Sequence, residues 1–75
     1  MRALIEYLAR ALAEHPDDVV VEEEHDGDRI LLYLYVIDED KGRVIGRDGR
    51  CANAMRSLLH VAAVRAGVRA TLNIE

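Results

Sequence analysis

One run of residues narrows the folds open to this chain more than any other: Arg29 to Ile37, apolar at nearly every position from Ile30 onward. In a strand, Ile30, Leu32, Leu34 and Val36 share one face and Leu31, Tyr33, Tyr35 and Ile37 the other. A strand apolar on both sides is either central in its sheet or covered on its second face by another molecule. The run is far too short to span a bilayer. A chain of 75 residues has room for one small core, so residues 1–75 are expected to form one domain built on this strand. Domains of this size are marginal, and help from a partner subunit is expected.

The elements around the strand follow from periodicity and turn residues. Leu4, Ile5, Leu8, Ala11 and Leu12 recur at helical spacing, so residues 2–14 read as an amphipathic helix ended by His15-Pro16. Val19-Val20-Val21 followed by Glu22-Glu23-Glu24 suggests a strand with an exposed later part. Asp26-Gly27 supplies a hairpin turn into the central strand. Asp38 is expected to cap a short helix reaching about Ile45, with Glu39 and Asp40 in its first turn. Residues 50–66 predict the longest helix, stopped by Gly67. Val68, Ala70, Leu72 and Ile74 alternate with Arg69, Thr71 and Asn73, predicting a last strand with one buried face.

The apolar arc of the long helix is unusually wide. Ala52, Met55, Leu59, Ala62, Ala63 and Ala66 cover one side, and Leu58 and Val61 widen it to roughly 200°, about twice what a packed surface helix needs. Leu58, Val61 and Val64 are therefore expected to form a subunit contact unless the first helix covers them.

Between the two later helices lies Val44-Ile45-Gly46-Arg47-Asp48-Gly49-Arg50. Glycines three apart at a tight turn would admit a sugar-phosphate chain closer than a Cβ allows, with the amides of the next helix favouring its negative charge. The net charge of −4 hides a division that fits this. Residues 1–40 carry three basic against twelve acidic side chains; residues 41–75 carry seven basic against two acidic. Lys41, Arg43, Arg47 and Arg50 cluster at the loop, the footprint expected for a polyanion. Asp48 works against it, since a carboxylate there repels phosphate and a capping aspartate would occupy the helix amides.

Other chemistries find little support. His15, His25 and His60 are scattered without the close spacing of metal ligands, and Ser57 has no nucleophile elbow around it, so no catalytic site, metal or cofactor is expected. The glycine loop lacks the Lys-Ser/Thr ending of a P-loop. With one cysteine, Cys51, no internal disulfide can form, and the charged start at Met1-Arg2-Ala3-Leu4-Ile5-Glu6 is not a signal peptide, so a cytoplasmic protein without membrane contact is expected. There is no Phe or Trp, and the three tyrosines lie away from the loop in sequence, so any base contact there is aliphatic or by hydrogen bonds.

The segment Gly42-Arg43-Val44-Ile45-Gly46-Arg47-Asp48-Gly49-Arg50, set between a short and a long helix after a strong strand, resembles the core of a KH domain. In that family a G-x-x-G loop clamps the backbone of about four single-stranded nucleotides. The N-terminal helix and strand resemble the type II arrangement, an α+β fold of order α-β-β-α-α-β with three helices on one face of a three-stranded mixed sheet. The start, Leu4-Ile5-Glu6-Tyr7-Leu8-Ala9-Arg10-Ala11-Leu12 with His15-Pro16-Asp17-Asp18-Val19-Val20-Val21, is similar to the small bacterial KH proteins of the KhpA family. The resemblance implies a single type II KH domain over residues 1–75, binding single-stranded RNA without catalysis. It further implies an RNA chaperone or post-transcriptional regulator, acting as a homodimer or with a larger KhpB-like KH protein, and a link to cell elongation and envelope homeostasis.

Carried onto this chain, Gly46 and Gly49 would admit the RNA backbone across the Arg47-Asp48 pair, and Arg47 would meet a phosphate. Val44 and Ile45 would floor the bases; Lys41, Arg43 and Arg50 would add attraction, and Arg56 a further contact. A competing expectation is a protein-interaction subunit that docks a larger RNA-binding partner and makes little RNA contact itself. Asp48 and the wide apolar helix favour it; the basic cluster favours direct binding.

Overall fold

In the computed structural model, which describes residues 1–75, the chain forms α1 (Arg2–Leu12), β1 (Val20–Asp26), β2 (Arg29–Tyr35), α2 (Asp38–Ile45), α3 (Arg50–Ala66) and β3 (Arg69–Ile74). Single 3₁₀ turns at Pro16–Asp18 and Arg47–Gly49 join α1 to β1 and α2 to α3. β2 is the middle strand of three, antiparallel to β1 and parallel to β3. The strand apolar on both sides therefore takes the central place, and the order is that of a type II KH domain. β2 stops at Tyr35, two residues short of the apolar run, because Val36 and Ile37 lead into α2.

Register follows the hydrophobic pattern. Val21 stands opposite Leu34, and Leu32 opposite Leu72, so the apolar positions of all three strands meet on one face. Against that face pack Ile5 and Ala9 of α1, Val44 of α2, and Met55 and Leu59 of α3, all buried. The parallel pair requires a long crossover, and α2, the glycine turn and α3 provide it.

The first helix is shorter than its pattern, ending at Leu12 with Ala13 already extended. Asp38 is the first helical residue of α2 and does not cap it; Ile37 holds the cap position and no side chain bonds the free amides. Asp40 lies in the first turn of α2 as expected, and its side chain is wholly buried. One carboxylate oxygen accepts the Glu14 N–H at 3.2 Å, the other the His15 N–H at 3.0 Å, and the His15 ring lies 3.3 Å away. Burial alone would raise the Asp40 pKa, but the two N–H donors and the His15 ring outweigh it and lower it. The segment leaving α1 is thus pinned to α2 four residues before Val44.

On α3, Ala52, Met55, Leu59 and Ala63 are buried as the arc requires, whereas Ala66 is exposed at the last turn. Gly67 ends the helix in the left-handed conformation at φ 72°, its N–H bonded back to the last turn. No helix is long and apolar enough to cross a membrane.

Candidate nucleic-acid interface

The glycine turn sits at the midpoint of the crossover, between the C-terminus of α2 and the N-terminus of α3. Gly46 and Gly49 both have positive φ, at 78° and 76°, and Asp48 joins them at 56°. Such a backbone is strained for most residues, which accounts for glycine at both ends and a short polar residue between.

The two glycines differ in what they require. A Cβ on Gly46 would lie 2.7 Å from Cys51 Sγ and 2.9 Å from the Cys51 nitrogen. Its bareness is therefore demanded by the turn's own packing, before any ligand arrives. A Cβ on Gly49 would meet nothing closer than Asn53 Nδ2 at 3.8 Å, so this glycine is needed for φ and leaves an open surface. Backbone approach, expected equally at both, is sterically free at Gly49.

Asp48 does not cap α3. Gly49 holds that position and no side chain bonds the opening amides, so the capping role weighed for Asp48 is overturned. Its left-handed backbone leaves the carboxylate exposed. It remains a negative charge beside the turn.

The basic cluster divides into paired and free members. Lys41 Nζ lies 3.1 Å from Asp38, and Arg43 lies 3.4 Å from Glu14 across the α1–α2 junction. Arg47 and Arg50 are exposed and form no ion pair, so the two cations nearest the glycines are the available ones. Val44 is fully buried and belongs to the core, which corrects its expected place in a base-contacting floor; Ile45 is exposed beside Gly46.

Arg56, two turns along α3, donates from Nε to the Leu72 carbonyl at 3.3 Å. β3 pairs only with β2, and the Arg69 and Glu75 amides bond to Asp28 and Leu34. By alternation, the backbone groups of Ala70, Leu72 and Ile74 point outward along a free edge. Arg56 therefore bridges α3 to that edge, and the turn, the Arg56 flank of α3 and the β3 edge lie in sequence along one side.

On the solvent-facing side of α3, Leu58, Val61 and Val64 are 48%, 54% and 64% exposed, so α1 does not cover them. Cys51, Ala54 and Leu58 instead form, with Leu8, Ala11 and Leu12 of α1, an apolar groove of about 240 Å³. No three His, Cys, Asp or Glu side chains gather into a metal-binding group.

Residues 2–74 match the KhpA/KhpB KH domain. A protein of Halalkalibacterium halodurans called RNA-binding protein KhpA is 45% identical over 74 residues, covering 99% of this chain and 97% of its own. The chain belongs to the KhpA/KhpB family of KH domains. Relatives with the same name include one from Clostridium acetobutylicum, 40% identical and covering 99% of both chains. Another, from Treponema pallidum, is 42% identical over 71 residues, covering 95% of this chain and 89% of its own. Among solved structures, Era from Aquifex aeolicus bound to GDP and aluminium fluoride resembles this KH chain with a TM-score of 0.61 at 16% identity. So does Era in complex with MgGDPNP and nucleotides 1506-1542 of 16S ribosomal RNA, again at 16% identity and a TM-score of 0.61. The chain spans 28% of the length of either Era, and at that identity the likeness is one of fold.

Proposed function

We propose that this KH domain binds single-stranded RNA without catalysis, with the Gly46–Gly49 turn as its phosphate clamp. The observation that carries the reading is the turn itself: two positive-φ glycines, a helix start without a side-chain cap and two unpaired arginines at one point, in a chain whose relatives are named RNA-binding proteins. Arg47 and Arg50 supply the first phosphate contacts. Gly49 gives the surface that a backbone can approach, and Ile45 the apolar contact beside it. Lys41 and Arg43 add to the potential from their ion pairs, Arg56 reaches bases along the β3 edge, and Asp48 weakens the clamp. Val44 acts from beneath, by holding α2 on the core.

The finer role is that of a cytoplasmic RNA chaperone or post-transcriptional regulator, with the link to cell elongation and envelope homeostasis that the KhpA resemblance suggests. The residues 1–75 serve as one domain, used in pairs: the uncovered Leu58, Val61 and Val64 suit a second copy or a larger KhpB-like KH protein. The same exposed residues support the second reading, a subunit whose main task is docking that partner.

Fluorescence anisotropy of short single-stranded RNAs across a salt series separates the two. The wild-type protein is expected to bind with a negative salt slope. A folded Arg47→Glu/Arg50→Glu variant loses at least about tenfold and flattens the slope by about one per lost phosphate contact. Equal binding by both, or none by either, would remove the clamp and leave the docking subunit.

A further inference from the structure

The helices cover one face of the sheet and leave the other open. Alternation and register place Val20, Glu22 and Glu24 of β1, Leu31, Tyr33 and Tyr35 of β2, and Thr71 and Asn73 of β3 on that open face. Val20 stands opposite Tyr35 and is 51% exposed, so this end of the face is apolar and aromatic. Glu22 stands opposite Tyr33 and Glu24 opposite Leu31. Glu75 follows β3 on the same side, and its charge acts on Tyr35. None of these three carboxylates has an ion-pair partner within the chain. The face's own arginines, Arg29 and Arg69, stand side by side at its far end, with Asp26 opposite Arg29.

Tyrosines on a sheet form a platform on which bases can stack, but a nucleic acid laid here would bring its phosphates among the carboxylates. A cationic side chain meets the reverse situation. Its charge is attracted by the tyrosine ring faces and the carboxylates, and its methylene stem can lie along Val20 beside Tyr35. We infer that the Val20–Tyr35 end of the open sheet face docks a lysine- and arginine-rich segment of another protein. Partial burial first, then a hydrogen bond to Glu22 and the charges of Glu22 and Glu75 with Tyr33 beside them, raise the Tyr35 pKa, which places these two carboxylates close to its phenol. The division of charge along the chain thus becomes a division of surfaces, with a polycation on the sheet and a polyanion at the glycine turn. Neither contact requires the other.

The test uses the full chain, labelled with nitrogen-15, and a decapeptide of alternating arginine and lysine at physiological salt. Chemical-shift changes are expected at Val20, Glu22, Tyr33 and Tyr35, with little at residues 46–50. A Glu22→Gln/Glu24→Gln/Glu75→Gln variant is expected to bind about tenfold more weakly, the sum of three modest exposed pairings. An Asp17→Asn/Asp18→Asn/Glu39→Gln variant, with the same change in net charge elsewhere, keeps wild-type affinity. Equal loss in both variants, shifts centred on other acidic residues, or no binding would overturn the inference. RNA anisotropy run on the same variants stays at the wild-type value, so failure here leaves the clamp reading intact, and failure of the clamp leaves this one intact.

Discussion

Asp40 carries two helices on one carboxylate. Its oxygens receive the Glu14 and His15 amides, groups that the bend after α1 would otherwise leave without partners. Asp40→Ala orphans both donors, and the melting temperature is expected to fall by on the order of 5–10 °C for a domain this small. Because the folded pKa lies below the ordinary 3.8, the contribution is fully present above that value and is lost as pH falls through the folded pKa. Urea midpoints measured from about pH 6 down to about pH 2 should therefore show wild type losing part of its margin below 3.8, a step that Asp40→Ala lacks. The glycines give a second residue-level expectation. Alanine at either forces a left-handed backbone, costing about 1–2 kcal/mol, but at Gly46 it also collides with Cys51, so Gly46→Ala melts below Gly49→Ala. The turn was legible in the sequence because glycine spacing and charge are local signals. Asp40 was not, although it lies four residues before the buried Val44 on the same helical face: an acidic residue in a first turn reads as dipole compensation unless its partners, distant in sequence, are known.

For single elements, α3 shows what periodicity can decide and what it leaves open. Its span and its buried positions Ala52, Met55, Leu59 and Ala63 follow the 3.6-residue pattern, and Gly67 closes it as the sequence indicates. Periodicity cannot tell whether α1 spreads over the whole apolar arc. In the fold α1 packs along one flank only, leaving a groove beside Leu58 and exposing Val61 and Val64. Two neighbouring leucines then differ sharply in worth: Leu59→Ala is expected to cost about 2–5 kcal/mol by chemical denaturation, and Leu58→Ala less than half as much. If the exposed strip joins two copies, Val61→Asp converts a dimer to a folded monomer in analytical ultracentrifugation; an unchanged sedimentation coefficient would assign the strip to a different partner. Strand ends show the same limit. Val36 and Ile37 continue the apolar run beyond β2 because apolar residues also serve the connection into α2, and composition alone does not mark where pairing stops.

Across the whole molecule, the strands were visible one by one, whereas their pairing was not. An alternating pattern says which side of a strand is buried and nothing about its neighbour, so the hairpin could be read from Asp26-Gly27 while the parallel β2–β3 pair rested on the KH resemblance. The crossover needed by that pair places the glycine turn at its apex and leaves β3 as an edge strand. Along β3, Arg69, Thr71, Asn73 and Glu75 direct their amides to β2, and Ala70, Leu72 and Ile74 direct theirs outward. Deuterium should therefore enter this strand as a comb, fast at Ala70, Leu72 and Ile74 and slow between them. Any molecule that settles along the edge will slow the fast teeth alone, so these three amides act as a clock for its occupancy.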